Sequence, residues 1–189
     1  MNEQLAHVTT EIVGRPFLAI WTPEDGVVRA AGFREPAAAG GAGSGGPASE
    51  QLWQRLAASD PTLAARGIAD APSPTSPVAA ALRAYAAGDV AAVDAIAVSQ
   101  RETPFRAEVW RALRGVPAGV AVTYAELAER AGRPTAVRAA ASGCATNLVA
   151  LIVPCHRIVR GDGGLGGYLF GAETKQRLLV HEGARGAQA

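Results

Sequence analysis

The segment Val153-Pro154-Cys155-His156-Arg157 sets a thiol beside an imidazole and a guanidinium. A free thiol has a pKa of about 8.5, so only a few per cent is the nucleophilic thiolate near pH 7. A reactive Cys155 therefore needs a base or a positive field. His156 is the nearest base, but neighbouring side chains point in different directions, which argues against direct contact. A bridging water could carry the proton, and a carboxylate would then be wanted to orient the ring. The only other cysteine is Cys144. Two thiols so spaced form neither a disulfide scaffold nor a zinc pattern. A buried core thiol is the commoner fate of a single cysteine; the Pro-Cys-His-Arg context argues for chemistry instead.

The elements that must position this thiol are well punctuated. Thr103-Pro104 opens a helix with Phe105, Val109, Ala112 and Leu113 inward, and Gly115 closes it. Thr123-Tyr124-Ala125-Glu126 has capping-box spacing and starts a helix to about Ala131. After Gly132 and the Arg133-Pro134 turn, a second helix is expected from Thr135 to about Ala145. Two short helices across a glycine-containing turn form a helix-turn-helix pattern. Ala150–Val153 reads as a buried strand ended by Pro154, which holds Val153 extended. Gly161–Gly167 is a glycine-rich loop, and 172–181 a last helix. The string from Gly161 to Gly166 matches a dinucleotide fingerprint, but only one helix follows it, so no βαβ unit can form.

The first hundred residues hold less chemistry. Phe17–Trp21 and Val27–Phe33 flank Pro23-Glu24-Asp25-Gly26 and predict a β-hairpin. Residues 36–49 are Ala, Gly, Ser and Pro and predict a loop. Leu52, Trp53 and Leu56 mark a short helix, and residues 70–77 with three prolines form another loop. Ser76-Pro77 caps a helix carrying Val78, Leu82 and Tyr85, closed by Gly88, and Val93–Val98 is expected to be a short strand. The reading is two domains: a small α/β domain over 1–98, and a mainly helical domain with a helix-turn-helix over 101–189.

With 189 residues, 49% of them hydrophobic, the chain can bury a sizeable core. No apolar run reaches the roughly 20 residues of a membrane span, and the N-terminus reads as no secretory signal. Residues 1–100 carry a net charge of −4 and residues 101–189 of +5, compatible with a polyanionic partner for the second half. Lys175 is the sole lysine.

Pro154-Cys155-His156-Arg157 resembles the active-site signature of the O6-alkylguanine-DNA alkyltransferases. Tyr124, Arg138, Asn147, Gly167-Tyr168 and His181-Glu182-Gly183 follow the same order, and the resemblance is dense over 101–184. It implies an RNase H-like N-terminal domain and direct-reversal DNA repair, in which an alkyl group passes irreversibly from O6 of guanine to Cys155. The catalytic set it implies is Cys155 as acceptor, His156 as base through water, Glu182 as its orienter and Tyr124 as donor to N3 of the flipped base. Arg138 would fill the gap in the duplex, on a DNA-binding face with Thr135, Ala139 and Ser142. Asn147 would brace the helix–strand turn, and Ile158, Tyr168, Leu169 and Phe170 would complete the substrate pocket. The implied partner is double-stranded DNA carrying O6-alkylguanine, engaged through the minor groove by a monomer. No cofactor is needed, and no membrane partner is expected; the setting is the bacterial cytoplasm, at the nucleoid. The chain departs from the pattern twice. It has no cysteine before Cys144, so the zinc site of some members is missing and no metal is expected, and Leu169-Phe170 stand where many members have small residues. Two rival readings are a DNA-binding regulator and a Cys-His hydrolase with turnover.

Overall fold

A computed structural model describes residues 3–34 and 50–184. The expected loop at 36–49 lies outside the described residues. The chain divides into two compact units, Met1–Arg101 and Glu102–Ala189.

In the first unit, β1 (Ala6–Ile12), β2 (Arg15–Trp21) and β3 (Val28–Phe33) form an antiparallel sheet in that order, followed by α1 (Glu50–Ser59), α2 (Pro61–Ala64) and α3 (Pro77–Ala86). The hairpin expected from Phe17–Trp21 and Val27–Phe33 is β2–β3, with Phe17 opposite Phe33. Its turn is held by Asp25, which accepts from the Val27 N–H and the Thr22 hydroxyl, while Gly26 takes φ +67°. The β1 strand escaped the sequence reading, because Thr9, Thr10 and Glu11 interrupt its apolar pattern. The central strand β2 is buried on both faces, which is why Phe17–Trp21 reads as a continuous apolar run. Leu18 and Ile20 pack with Leu5, Ala30, Leu52 and Leu56. On the other face, Phe17 meets Phe33 edge to face at 5.0 Å. Ser76 caps α3 by accepting from the Ala79 N–H at 3.1 Å, ahead of Pro77 in the first turn. Val93–Val98 is not a strand: residues 91–95 are turn, and only Val98 bridges, to Val28. Tight backbone bonds from Asp89 to Ile96 coil the segment on itself, so its apolar residues are used without ladder pairing.

In the second unit α4 (Pro104–Arg114), β4 (Val122–Thr123), α5 (Tyr124–Arg130), α6 (Val137–Thr146), β5 (Ile158–Val159) and α7 (Ala172–His181) follow in order. The α5 capping box is present: the Thr123 hydroxyl accepts from the Glu126 N–H at 3.2 Å and the Glu126 carboxylate from the Thr123 N–H at 2.6 Å. Helices α4, α5 and α6 pack on one another. Gly143 lets α4 and α6 close up, since a Cβ there would stand 2.8 Å from Cγ1 of Val109, and its carbonyl accepts from the buried Trp110 indole at 2.9 Å. The α6 helix begins at Val137, not Thr135; Thr135 stays in the exposed turn after Pro134. Ala150–Val153 is buried as expected but is a chain of turns, not a strand. Its bonds run within itself, Val153 N to Val149 O at 2.9 Å and Ile152 N to Ala150 O at 2.8 Å, with Leu151 at φ +69°. An apolar run can satisfy its backbone locally as well as in a ladder, and periodicity does not tell the two apart. The short parallel pair β4–β5, Val122 opposite Ile158, ties the start of α5 to the segment after Cys155. Among the described residues no helix is long and apolar enough to cross a membrane.

Candidate active site

Cys155, His156 and Arg157 form a single 3-10 turn directly after Pro154. Asn147, the residue that ends α6, fixes the approach to that turn. Its side-chain amide donates to Val153 O at 2.8 Å and lies 3.4 Å from the Cys155 sulfur, while its carbonyl oxygen accepts from Val149 N at 3.0 Å. One buried amide thus closes the 147–153 loop and addresses the thiol. Asn147 was expected to brace a helix–strand turn; the segment it holds is a chain of turns.

His156 and Cys155 diverge, as adjacent residues should. The imidazole is fully buried, and its Nε2 lies 3.0 Å from Oε1 of Glu182, the residue that caps the C-terminus of α7. Glu182 is also gripped by Arg157, Nε to Oε2 at 2.8 Å and Nη2 to Oε1 at 2.9 Å, and Arg157 donates a further bond to Val116 O. A carboxylate at a helix C-terminus opposes the helix dipole by about 0.3–1 kcal/mol. Charge-assisted bonds of about 1.5–3 kcal/mol outweigh that. Burial by itself would raise the Glu182 pKa, but the bonds and charges of His156 and Arg157 win and hold it far below the ordinary carboxylate range. Burial pushes the His156 pKa down, only partly countered by Glu182, so the ring is neutral at pH 7. An ionised carboxylate can only accept, so Nε2 carries the ring proton and Nδ1 keeps its lone pair. Among the described residues Nδ1 has no hydrogen-bond partner. The group is a neutral imidazole with its basic nitrogen open.

Beside the thiol lies a cavity of about 250 Å³. Cys155 and Asn147 contribute to its lining, as do Ala141, Cys144 and Ala145 of α6, Tyr124 at the start of α5, and Tyr168, Leu169 and Phe170 after the glycine loop. Phe170 is buried and meets the Tyr168 ring edge to face at 5.4 Å, whereas Leu169 is 46% exposed. Burial first, then the two nearby thiols, raise the Tyr124 pKa, so its phenol stays protonated and able to donate. Burial pushes the Cys144 thiol well above its ordinary range, reinforced by Cys155, which disfavours its thiolate.

The expected residues do not all gather here. Ile158 is buried in β5 outside the cavity lining, and its carbonyl already accepts from Lys175. Thr135, Arg138, Ala139 and Ser142 are exposed, on the turn and one face of α6, and do not line the cavity. Arg138 has no ion-pair partner among the described residues. Two buried ions escaped notice in the sequence. The Arg157 clamp was within the motif, but nothing local reveals its partner. Lys175 carries a signal that could have been read: it occupies the apolar stripe of α7 with Leu178, Leu179 and Glu182 at i+3, i+4 and i+7.

The family model described as "6-O-methylguanine DNA methyltransferase, DNA binding domain" matches residues 104–184. A methylated-DNA–protein-cysteine methyltransferase of Shigella flexneri is 41% identical over 102 residues, covering 54% of this chain and 60% of that protein. The chain spans less than two thirds of the length of the curated relatives it matches first. Among solved structures, the O6-methylguanine methyltransferase of Mycobacterium tuberculosis superposes with a TM-score of 0.69 at 25% identity, over 95% of this chain and 93% of that one. The Mycobacterium tuberculosis OGT in complex with DNA gives 0.66 at 25% identity, over 94% and 92%. Residues 104–184, somewhat less than half of the chain, are thus similar to the DNA binding domain of the 6-O-methylguanine DNA methyltransferases.

Proposed function

We propose that this protein repairs DNA by direct reversal, moving an alkyl group from O6 of guanine onto Cys155 and acting once. The observation that carries the reading is the Cys155 sulfur at a small cavity, next to a buried neutral imidazole held by Glu182 and Arg157. In the proposed reaction His156 Nδ1 takes the thiol proton through a bridging water. The sulfur then displaces O6 from the alkyl carbon; the C–O bond breaks as the S–C bond forms. Tyr124 donates a proton to N3 of the departing base, which leaves neutral. The imidazolium so formed is stabilised by Glu182, in the manner of other buried acid–base dyads. A thioether on Cys155 has no leaving group to restore the thiol, hence one event per chain.

An alkylated base inside a duplex is out of reach and must be turned out, at a cost of a few kcal/mol. Unpaired Arg138, with Thr135, Ala139 and Ser142, forms an exposed face of small side chains and one cation. That face suits close approach to the minor groove, with the guanidinium occupying the vacated stack. In this reading α5 and α6 are the helix-turn-helix, and 101–189 is the acting domain. The first unit is taken as RNase H-like, supported by its antiparallel β1–β2–β3 meander and flanking helices. The protein works as a monomer on cytoplasmic or nucleoid DNA.

The test is incubation with excess duplex DNA carrying O6-methylguanine, followed by intact-mass measurement. The expected result is a gain of one methylene that saturates at one per chain. Continuing release of product would mean a hydrolase, and sequence-selective binding with unchanged mass would mean a regulator.

A further inference from the structure

Lys175 is unused by the reaction described above, yet it is the chain's only lysine and has no exposed surface. Fully burying an ammonium is costly unless it is bonded and paired. Its Nζ donates to two backbone carbonyls, Ile158 O and Leu165 O. Ile158 follows the Cys155–Arg157 turn directly, and Leu165 belongs to the glycine loop that leads into Tyr168, Leu169 and Phe170. One side chain therefore joins the segment carrying the nucleophile to the loop that lines the cavity. Among the described residues the loop's other hydrogen bonds are short-range, from Arg160 N to Gly164 O, Gly163 N to Arg160 O, Gly164 N to Asp162 Oδ1 and between Arg160 and Asp162. Gly163 and Gly166 take φ +86° and +70°, a backbone with many alternatives to the one seen.

We propose, resting on the alkyl-transfer reading, that Lys175 is a positioning residue. It pins the glycine loop against the Cys155 turn and sets a fixed positive charge beside the Cys155 sulfur. The α7 helix then serves the nucleophile at two points one stripe apart, Glu182 through His156 and Lys175 through charge and loop. The titratable groups that interact with it are Cys155 and His156 on the turn and Cys144 on α6. Arg157 is neutralised by Glu182, and His156 is neutral, which leaves the lysine as the unmatched cation near the thiols. Burial lowers the Lys175 pKa, and interaction with the two thiols offsets that only in part.

A single lysine allows a test on the intact wild-type chain. Protein labelled with 15N-lysine should give one Nζ resonance. That resonance should move in step with Cys155 ionisation, read from thiolate absorbance, and the step should vanish once iodoacetamide has blocked Cys155. Lys175→Met should raise the pH midpoint of iodoacetamide reaction at Cys155 by about one unit, an about tenfold loss of rate below the midpoint. It should also open the 161–167 loop to proteolysis, whereas Lys175→Arg should keep the midpoint. A lysine resonance indifferent to Cys155, or a Lys175→Met midpoint equal to wild type, overturns the proposal. Iodoacetamide needs no DNA, so these readouts stand apart from the repair assay: failure of methyl transfer in wild type would refute the function, not the lysine's role.

Discussion

The two units bury different things. The first is held by an apolar core, Leu5, Leu18, Ile20, Ala30, Leu52 and Leu56, and its buried polar side chains among the described residues are His7 and Thr22. The second buries Asn147, His156, Arg157, Thr174, Lys175 and Glu182. Buried ions contribute little net stability and are often replaceable by apolar groups. Their concentration around one thiol therefore points to chemistry rather than to folding. The first unit reads as built for stability, the second as spending stability on a site.

The contrast can be broken most forcefully at Glu182. Glu182→Ala leaves Arg157 buried without its counter-ion, and such removals cost about 3–5 kcal/mol. Thermal melting should show that loss together with loss of methyl transfer, because the His156 tautomer is no longer fixed. In the first unit Leu18→Ala should cost about 2–5 kcal/mol through the cavity it leaves. It should leave the pH profile of Cys155 alkylation unchanged; a shifted profile would mean the division of labour is misdrawn.

Phe170→Gly sharpens the comparison within the site. The phenylalanine is both buried and a wall of the cavity, so it narrows the space a benzyl group needs but a methyl group does not. Overpacking of this kind costs about 1–3 kcal/mol, roughly ten- to hundredfold in rate. The benzylguanine rate should rise relative to methylguanine; an unchanged ratio would reduce Phe170 to a support for the loop.

The gentlest probe is pH. Burial lowers the pKa of His7 and of His156, so both are neutral when folded and take up protons on unfolding. Each therefore subtracts stability as pH falls below the free histidine value of about 6.5. Glu182 has a depressed pKa; its contribution is intact above the free carboxylate value of about 4.3 and fades as pH falls below it. Denaturation followed separately in the two units should show a shared decline from about pH 6.5 and, below about pH 4.3, a larger second decline in the C-terminal unit, since the depressed carboxylates of the first unit, Glu24 and Asp25, are exposed.

Much of this was legible beforehand, for physical reasons. Capping residues act within four positions, so the starts of α3, α4 and α5 could be read from Ser76, Thr103 and Thr123. The hairpin turn was equally local. Ala150–Val153 misled because burial and strand pairing leave the same apolar mark, and β1 hid behind its own polar residues. Cys155, His156 and Glu182 were singled out by motif and order, and the structure brings His156 and Glu182 together. The Arg157–Glu182 clamp and the Lys175 tie depend on contacts 25 and 10 or more residues apart, which no local pattern encodes.

Placement of the methyl group tests the central claim most directly. After reaction with O6-methylguanine DNA, peptide mapping by mass spectrometry should find one methyl group, on Cys155. Cys144→Ala should still take it up and Cys155→Ala should not, while still binding DNA. A methyl group on Cys144, or uptake that survives Cys155→Ala, would contradict the account.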